Sequence, residues 1–348
     1  MSRTALAAGL IAVLAACFGA SLARHPQTGG AGAGGEPAAA QDERPIDQSA
    51  TVAVEPVRAP ADLGQRALDH VKALATYGAR HSGTSPTPGW SRQLDYITGE
   101  LQKSGVEPVR DAWTEEREGV AFTNVSATIR GRRPERIVLA CHHDTKCTQG
   151  HADPAHNFDF VGANDGGSGV GLLLALAPLL AQQQPREATI ELVFFDGEES
   201  LDWDWNEARR ALFGSKHYVR RQRDAELKNG APRIAAMVLL DMVGRTDLRI
   251  QEELSSTPRL RTIVWSAAKA CGHQAQFFRR AEACSDDHRP FLDVGIPAVD
   301  LIDLVDNPHW HKATDTVENL SAASLQRVGE VVLTALPLIE REFVLDKR

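Results

Sequence analysis

Cysteine is scarce in this chain. Five residues in 348 (Cys17, Cys141, Cys147, Cys271 and Cys284) are too few for a disulfide scaffold, although Cys271 and Cys284 could pair outside the cytosol. Positive charge is also short: Asp and Glu outnumber Lys and Arg by 46 to 38, and the formal net charge is -8. No basic stripe is available to neutralise phosphates, which excludes nucleic acid as a partner. The four arginines between Arg130 and Arg136 read as a polar turn. Aromatics are few, at 6%, and six of them are Trp. The apolar run from Ala5 to Ala16 is too short to span a bilayer. Gly162 to Gly169 lacks the Lys-Ser/Thr of a phosphate loop and the spacing of the dinucleotide fingerprint. Ser168, Ser200 and Cys141 have no base partner in sequence, so a nucleophilic triad is a poor reading.

What is present is ordinary for a globular domain: 43% hydrophobic and 24% charged residues. Arg3, the apolar run and the closing Leu14-Ala15-Ala16-Cys17 read as an export signal over residues 1–17. Its end resembles a lipobox, which implies a lipid anchor at Cys17 and otherwise plain secretion. Either places the remainder outside the cytoplasm, in the periplasm or cell envelope. Residues 18–60, rich in Ala, Gly and Pro without periodicity, read as a flexible linker. Residues 61–348 are left for one catalytic domain, expected as a monomer.

Within that domain, helical spacing runs from about Asp62 to Tyr77, Pro88 to Ser104, Gly169 to Gln182, Asn206 to Arg223, Thr257 to Cys271 and Ser321 to Phe343. Short apolar or alternating runs mark strands at Phe122 to Ile129, Ile137 to Cys141, Ile190 to Phe195, Ile234 to Leu240, Gln274 to Phe278 and Pro297 to Ile302. Strands alternating with helices predict an α/β fold, a three-layer α/β/α sandwich around a mostly parallel mixed sheet.

The chain is organised around Ile190 to Ser200, an apolar run that ends in Asp196-Gly197-Glu198-Glu199. Adjacent carboxylates at the carboxyl end of a buried strand are costly unless a cation or proton lies between them. Other strand ends carry ligand types too: His142 and Asp144, Asp165 just downstream, Asp241, and His311 in a loop. Asp165, Glu199 and His311 make a three-ligand set for zinc with one position open. His142, Asp241 and the other oxygen of Asp165 could hold a second ion. Asp144 is placed to orient His142, and Glu198 is left over as general acid and base. His151 and His156 read as solvated loop residues.

His142-x-Asp144, Gly162-Ala163-x-Asp165, Asp196-Gly197-Glu198-Glu199, Phe213-Gly214-Ser215, Leu240-Asp241-Met242-Val243-Gly244 and His311 with Asp315-Thr316 together resemble the zinc aminopeptidase family with a co-catalytic metal pair. Cys141 to Lys146, Phe194 to Glu199 with a nearby Trp, Ser285-Asp286-Asp287-His288-x-Pro290-Phe291, Trp310-His311 and Glu318-Asn319-Leu320 are most similar to the animal-type glutaminyl-peptide cyclotransferases of that clan. The resemblance covers about residues 62 to 343 and implies a zinc exopeptidase-like fold. It implies one zinc on Asp165, Glu199 and His311, with two ions the alternative. It makes Glu198 the proton shuttle, Asp241 and Asp286 a hydrogen-bonded acidic pair, and Trp310 with Trp203 or Trp205 the pocket wall. The substrate would be the N-terminal glutamine of a peptide or protein, cyclised to pyroglutamate with release of ammonia. The Asp165-Gly166-Gly167-Ser168-Gly169 loop is closer to the peptidase form, and Val170 stands where the animal enzymes carry a cysteine. A two-metal aminopeptidase is therefore the alternative reading, and a non-catalytic binding module a third.

Overall fold

The computed structural model describes residues 44–83, 86–182, 186–205 and 208–346. The expected export signal, with Cys17, and the first part of the expected linker lie outside the described residues. In chain order the elements are α1 (Leu63–Ala75), α2 (Pro88–Lys103), β1 (Pro108–Glu115), β2 (Val120–Ile129), β3 (Arg136–His142), α3 (Ser168–Gln182), β4 (Thr189–Phe195), α4 (Phe213–Asn229), β5 (Ile234–Asp241), β6 (Ile250–Glu253), α5 (Pro258–Ala270), β7 (Phe277–Glu282), α6 (Arg289–Asp293), β8 (Ala298–Ile302) and α7 (Ala322–Glu340). Where helices start, local chemistry explains it. Thr87 accepts the Trp90 N–H ahead of Pro88, and Ser321 accepts the N–H of Ala323.

Six strands form one sheet in the order β1-β2-β4-β3-β5-β8. The pairs β4/β3, β3/β5 and β5/β8 are parallel, while β1 and β2 add an antiparallel edge. Side chains alternate between the two faces, as the pleat requires. Ile137, Leu139 and Cys141 of β3 join the core built with α1, α3, α5 and α7. Val138 and Ala140 join the opposite core, where Tyr218 and Val219 of α4 and Phe291 and Leu292 of α6 cover the sheet. Each fully buried Leu, Val, Ile or Phe there contributes about 1.5–3 kcal/mol of transfer free energy. This is the three-layer α/β/α sandwich that the alternating elements predict.

Several boundaries differ from the sequence expectation. The α4 helix begins at Phe213 rather than Asn206, because Leu212 is left-handed (φ 57°). The amides of Leu212 and Phe213 are tied back to the carbonyls of Glu198 and Gly197. It runs past Arg223 and stops at Gly230, whose φ of 64° closes the helix. Strand β1 was not legible because it is a half-exposed polar edge, and β7 lies further along the chain than Gln274 to Phe278 because it pairs with β6. Residues 44–60 depart from the linker expectation. Ile46, Val52, Val54, Val57 and Ala59 pack against the main core, and the amides of Val52 and Val57 donate to Ser266 Oγ and Thr334 Oγ1 at 2.9 Å each. Composition hides the reason, which is the spacing of the valines. Cys271 and Cys284 are both free.

Candidate metal and catalytic site

Because β4, β3 and β5 are adjacent and parallel, their carboxyl ends open side by side on one rim, where ligands bind in such sheets. His142 ends β3, Glu198 and Glu199 follow β4, and Asp241 ends β5. Asp165 arrives from the loop before α3 and His311 from the loop after β8.

The loops that deliver them are fixed by buried hydrogen bonds. Asp144 accepts the consecutive amides of Glu198 (3.1 Å) and Glu199 (3.2 Å) through its two oxygens. Its nearer oxygen is 3.6 Å from His142 Nδ1, so its principal partners are the Glu-Glu backbone. Before them, Gly197 has φ 67° and a Cβ there would sit 2.4 Å from the Phe122 ring, so only glycine fits. Asp315 accepts the amides of Asn164 (2.8 Å) and Asp165 (3.0 Å). Arg80, wholly buried, donates to the carbonyls of Val161 (2.6 Å) and Gly162 (2.8 Å) and to Gln93 Oε1 (3.0 Å). His311 itself is held at φ 51°. A non-glycine residue there costs about 1–2 kcal/mol, the kind of strain that collects at functional sites.

The side chains converge closely. His311 Nε2 lies 3.0 Å from Glu199 Oε1 and 3.5 Å from Asp165 Oδ2. His142 Nε2 lies 3.0 Å from Asp241 Oδ1 and 3.3 Å from Asp165 Oδ1, and its Nδ1 is 3.8 Å from Glu198 Oε2. Asp165 therefore stands between the two histidines. Ligand atoms of Asp165, Glu199 and His311 all fall within 4.8 Å of one another, as do those of His142, Asp165 and Asp241. Asp165 Oδ2 is buried without a hydrogen-bond partner, 3.5 Å from His311 Nε2, and Glu199 Oε2 lies 3.5 Å from the ammonium of Lys146. Carboxylate oxygens so placed around an imidazole fit a divalent metal.

Electrostatics agree with that fit. Burial opposes a charge on His142, but Asp241, Asp144 and Asp165 outweigh it and hold the imidazole well above its usual range. Burial likewise works against an ionised Glu199, yet His311 and Lys146 hold it down to about 2. Asp165 is raised by burial and by Glu199. Glu198 is pushed well above the carboxylate range by burial and, against the pull of His142, by Asp286 and Glu199. One carboxylate is thus kept ionised and its neighbour is poised to hold a proton, the division of labour expected of a ligand and a general acid-base.

These groups form the floor of a cavity of about 890 Å³. Asp165, Glu198, Glu199, Asp241, Asp286 and His311 line it, and Trp203, Trp205 and Trp310 wall it. Trp310 stacks on His311 with ring centroids 4.4 Å apart, and Trp203 meets the same imidazole edge-on at 5.8 Å. Every site residue singled out in the sequence is brought to this rim, with His142 buried just beneath. Three details differ. Asp286 bonds to the Asp287 amide (2.6 Å) and pairs with Asp300; Asp241 acts on it through charge, and Asp241 pairs with His142 instead. His156 and His151 are not simply solvated, since both pack on Trp203. Nothing in the spacing of Lys146, Arg80, Gln93 and Asp300 marks them, because their buried partners lie far off in the chain, while Glu253 has Ser255 and Ser256 as local partners and reads as an ordinary turn residue.

Residues 124–336 match the profile of peptidase family M28. The chain is similar to a glutaminyl-peptide cyclotransferase-like protein of Bos taurus, 29% identical over 269 residues that cover 71% of this chain and 65% of that protein. It thus spans slightly less than two thirds of that relative. Among solved structures, it is similar to a glutaminyl cyclase from an Acidobacteriales bacterium, with 31% identity, a TM-score of 0.69 and coverage of 82% of this chain and 99% of the other. A structure described as a leucine aminopeptidase precursor from Bacteroides thetaiotaomicron aligns at 26% identity and a TM-score of 0.71, covering 81% and 99%.

Proposed function

The chain belongs to peptidase family M28, and from that premise we propose that it is a zinc-dependent glutaminyl-peptide cyclotransferase. It converts the N-terminal glutamine of a peptide or protein to pyroglutamate and releases ammonia. The observation that carries the reading is the position of Glu198, a buried carboxyl with raised proton affinity on the floor of a tryptophan-walled cavity, beside the Asp165, Glu199 and His311 set. The likeness to glutaminyl cyclases supports it.

The residues divide the work as follows. Trp203, Trp205 and Trp310 exclude water and favour an uncharged α-amine, the form able to attack. As the amine nitrogen bonds to the carbonyl carbon of the glutamine side-chain amide, Glu198 accepts the proton that nitrogen loses. The bond from that carbon to the amide nitrogen then breaks, and Glu198 returns the proton so that ammonia departs. No water is consumed, so bonds and protons balance within one substrate. Asp286 raises the proton affinity of Glu198, which keeps that carboxyl able to act as both base and acid. Zinc held by Asp165, Glu199 and His311 would supply Lewis-acid polarisation of the γ-carbonyl and charge stabilisation of its oxygen. His142 and Asp241 then serve the acid network, and one ion suffices. The reading includes export from the cytoplasm, with Cys17 as a lipid-anchor site.

The test is a pair of assays on purified protein: ammonia release from a Gln-initiated peptide and amine release from a leucine anilide. Cyclisation predicts the first without the second. Anilide hydrolysis with two metal equivalents per chain would replace this reading with the two-metal aminopeptidase.

A further inference from the structure

A second cluster of ligand-type side chains lies behind the cavity wall. Cys284, Asp286 and His288 occupy alternate positions entering α6, and Asp300 faces them from β8. Ligand atoms of Asp286, His288 and Asp300 fall within 4.8 Å of one another, and all three residues are buried. Cys284 Sγ is 3.6 Å from Asp300 Oδ2. His288 Nδ1 is buried without a hydrogen-bond partner, and Asp286 and Asp300 have each other: two acids can pair only through a proton, which a cation can replace. A polar atom left unmet in a native interior costs about 1–3 kcal/mol.

The imidazole shows what would meet it. Glu253 accepts five hydrogen bonds, from the amides of Ser255, Ser256 and Cys284 and the hydroxyls of Ser255 and Ser256. Its Oε2 is also 3.1 Å from His288 Nε2. A carboxyl that accepts five N–H and O–H donors has no lone pair to spare for a proton of its own, so Glu253 is an anion. An ionised carboxylate at Nε2 fixes the imidazole proton on that nitrogen and turns the Nδ1 lone pair toward Asp300, whose Oδ2 is 3.7 Å away. Carboxylate, imidazole and metal in that order is the usual support of a metal-binding histidine.

We propose that Cys284, Asp286, His288 and Asp300 form a second, structural site for a zinc-class divalent cation, separate from the Asp165, Glu199 and His311 set. The nitrogen and two carboxylate oxygens form the triplet, and the Cys284 sulfur, 3.6 Å from Asp300 Oδ2, is the donor beside it that would close a four-ligand set and select a borderline-soft ion over magnesium or calcium. Two neighbouring carboxylates would otherwise repel in a dry interior. Cys284 and Asp286 also line the catalytic cavity, which gives the ion its way in. Once bound, it would pin the loop that carries Asp286 beneath Glu198.

The test uses the full chain stripped of metal and titrated with cobalt(II) chloride. None of the Asp165, Glu199, His311, His142 and Asp241 ligands is a thiol, so a near-ultraviolet thiolate-to-cobalt band reports the second cluster. The band is expected in the wild type and lost in Cys284→Ser. Asp300→Asn, which keeps the shape of the side chain, should bind one equivalent of metal fewer than the wild type. Circular dichroism identifies which variants fold, and either folded variant is sufficient. No thiolate band in the wild type, or a band and metal content unchanged in a folded variant, would overturn the site and leave a proton shared by Asp286 and Asp300. Ammonia release is read separately, so failure of the cyclase reading leaves this result intact.

Discussion

The imidazole of His156 lies flat on the indole of Trp203, with ring centroids 3.7 Å apart and planes 7° from parallel. His151 closes the same indole edge-on at 5.6 Å. The loop of residues 148–158 is therefore a brace for Trp203, and Trp203 in turn touches His311. Trp205 has no ring contact of this kind among the described residues. Aromatic pairs of this sort are worth about 0.5–1.5 kcal/mol. The Trp203→Leu and His156→Ala variants should each raise KM for a Gln-initiated peptide about 2- to 10-fold with kcat little changed, the pattern of lost uniform binding. Trp205→Leu should do less. Steady-state ammonia release checks this, and a larger effect from Trp205→Leu would reassign the pocket wall.

Glu198 and Glu199 are neighbours with opposite proton affinities, one raised and one held to about 2. The Glu198→Gln variant keeps shape but cannot carry the proton, so kcat should fall by about 10²- to 10⁴-fold. Metal content measured on the same preparation should stay at the wild-type level, since Glu198 belongs to neither ligand triplet. Loss of metal together with activity would make Glu198 a ligand.

Asp144 acts at one remove, through the amides of Glu198 and Glu199. Asparagine has one carbonyl oxygen where aspartate has two, so Asp144→Asn should leave one buried amide unmet and let the Glu199 carboxylate wander. Losses of this kind weaken metal binding by about 10- to 100-fold. Competition with a chromophoric chelator measures it directly, and an unchanged affinity would show that the turn holds without Asp144. Removing the metal with a strong chelator should abolish ammonia release, and zinc should restore it.

Much of this site was legible because its residues are chemically conspicuous and strand ends are easy to find. Five ligand-type ends on strands expected to be parallel can only converge, and Asp165, Glu199 and His311 do. The supporting residues follow a different logic. Arg80 bonds Gln93, Val161 and Gly162, 13 to 82 positions along the chain, and Lys146 bonds the carbonyls of Ser200 and Asp202, 54 and 56 positions along, and no periodicity signals a contact of that range. Residues 44–60 were misjudged for a related reason. Three alanines and three prolines give the stretch the look of a linker, while the role of its three valines is visible only against the helices they touch.

His143, next to the ligand-type His142, makes a pH prediction with a definite sign. It is fully buried, its Nδ1 is 2.9 Å from the Gln93 amide nitrogen, and its Nε2 is 3.0 Å from the Thr123 carbonyl. The carbonyl can only accept, so Nε2 carries a proton, and Nδ1 accepts from the Gln93 amide, so the ring is neutral. Burial holds its pKa down to about 4, against 6.5 for an ordinary histidine. Below pH 6.5 the unfolded chain therefore takes up a proton that the folded chain refuses. The stability this neutral ring contributes is complete above about pH 6.5 and is lost as the pH falls toward about 4. At 1.36 kcal/mol per unit the loss is about 3 kcal/mol. The His143→Gln variant, which does not titrate, should be less stable at neutral pH but should lack this slope. Urea unfolding of both proteins across that range isolates the histidine, because the other titrating groups are common to the two. Equal slopes would mean that His143 accepts its proton in the folded state, and that the Gln93 amide faces it with its oxygen rather than its nitrogen.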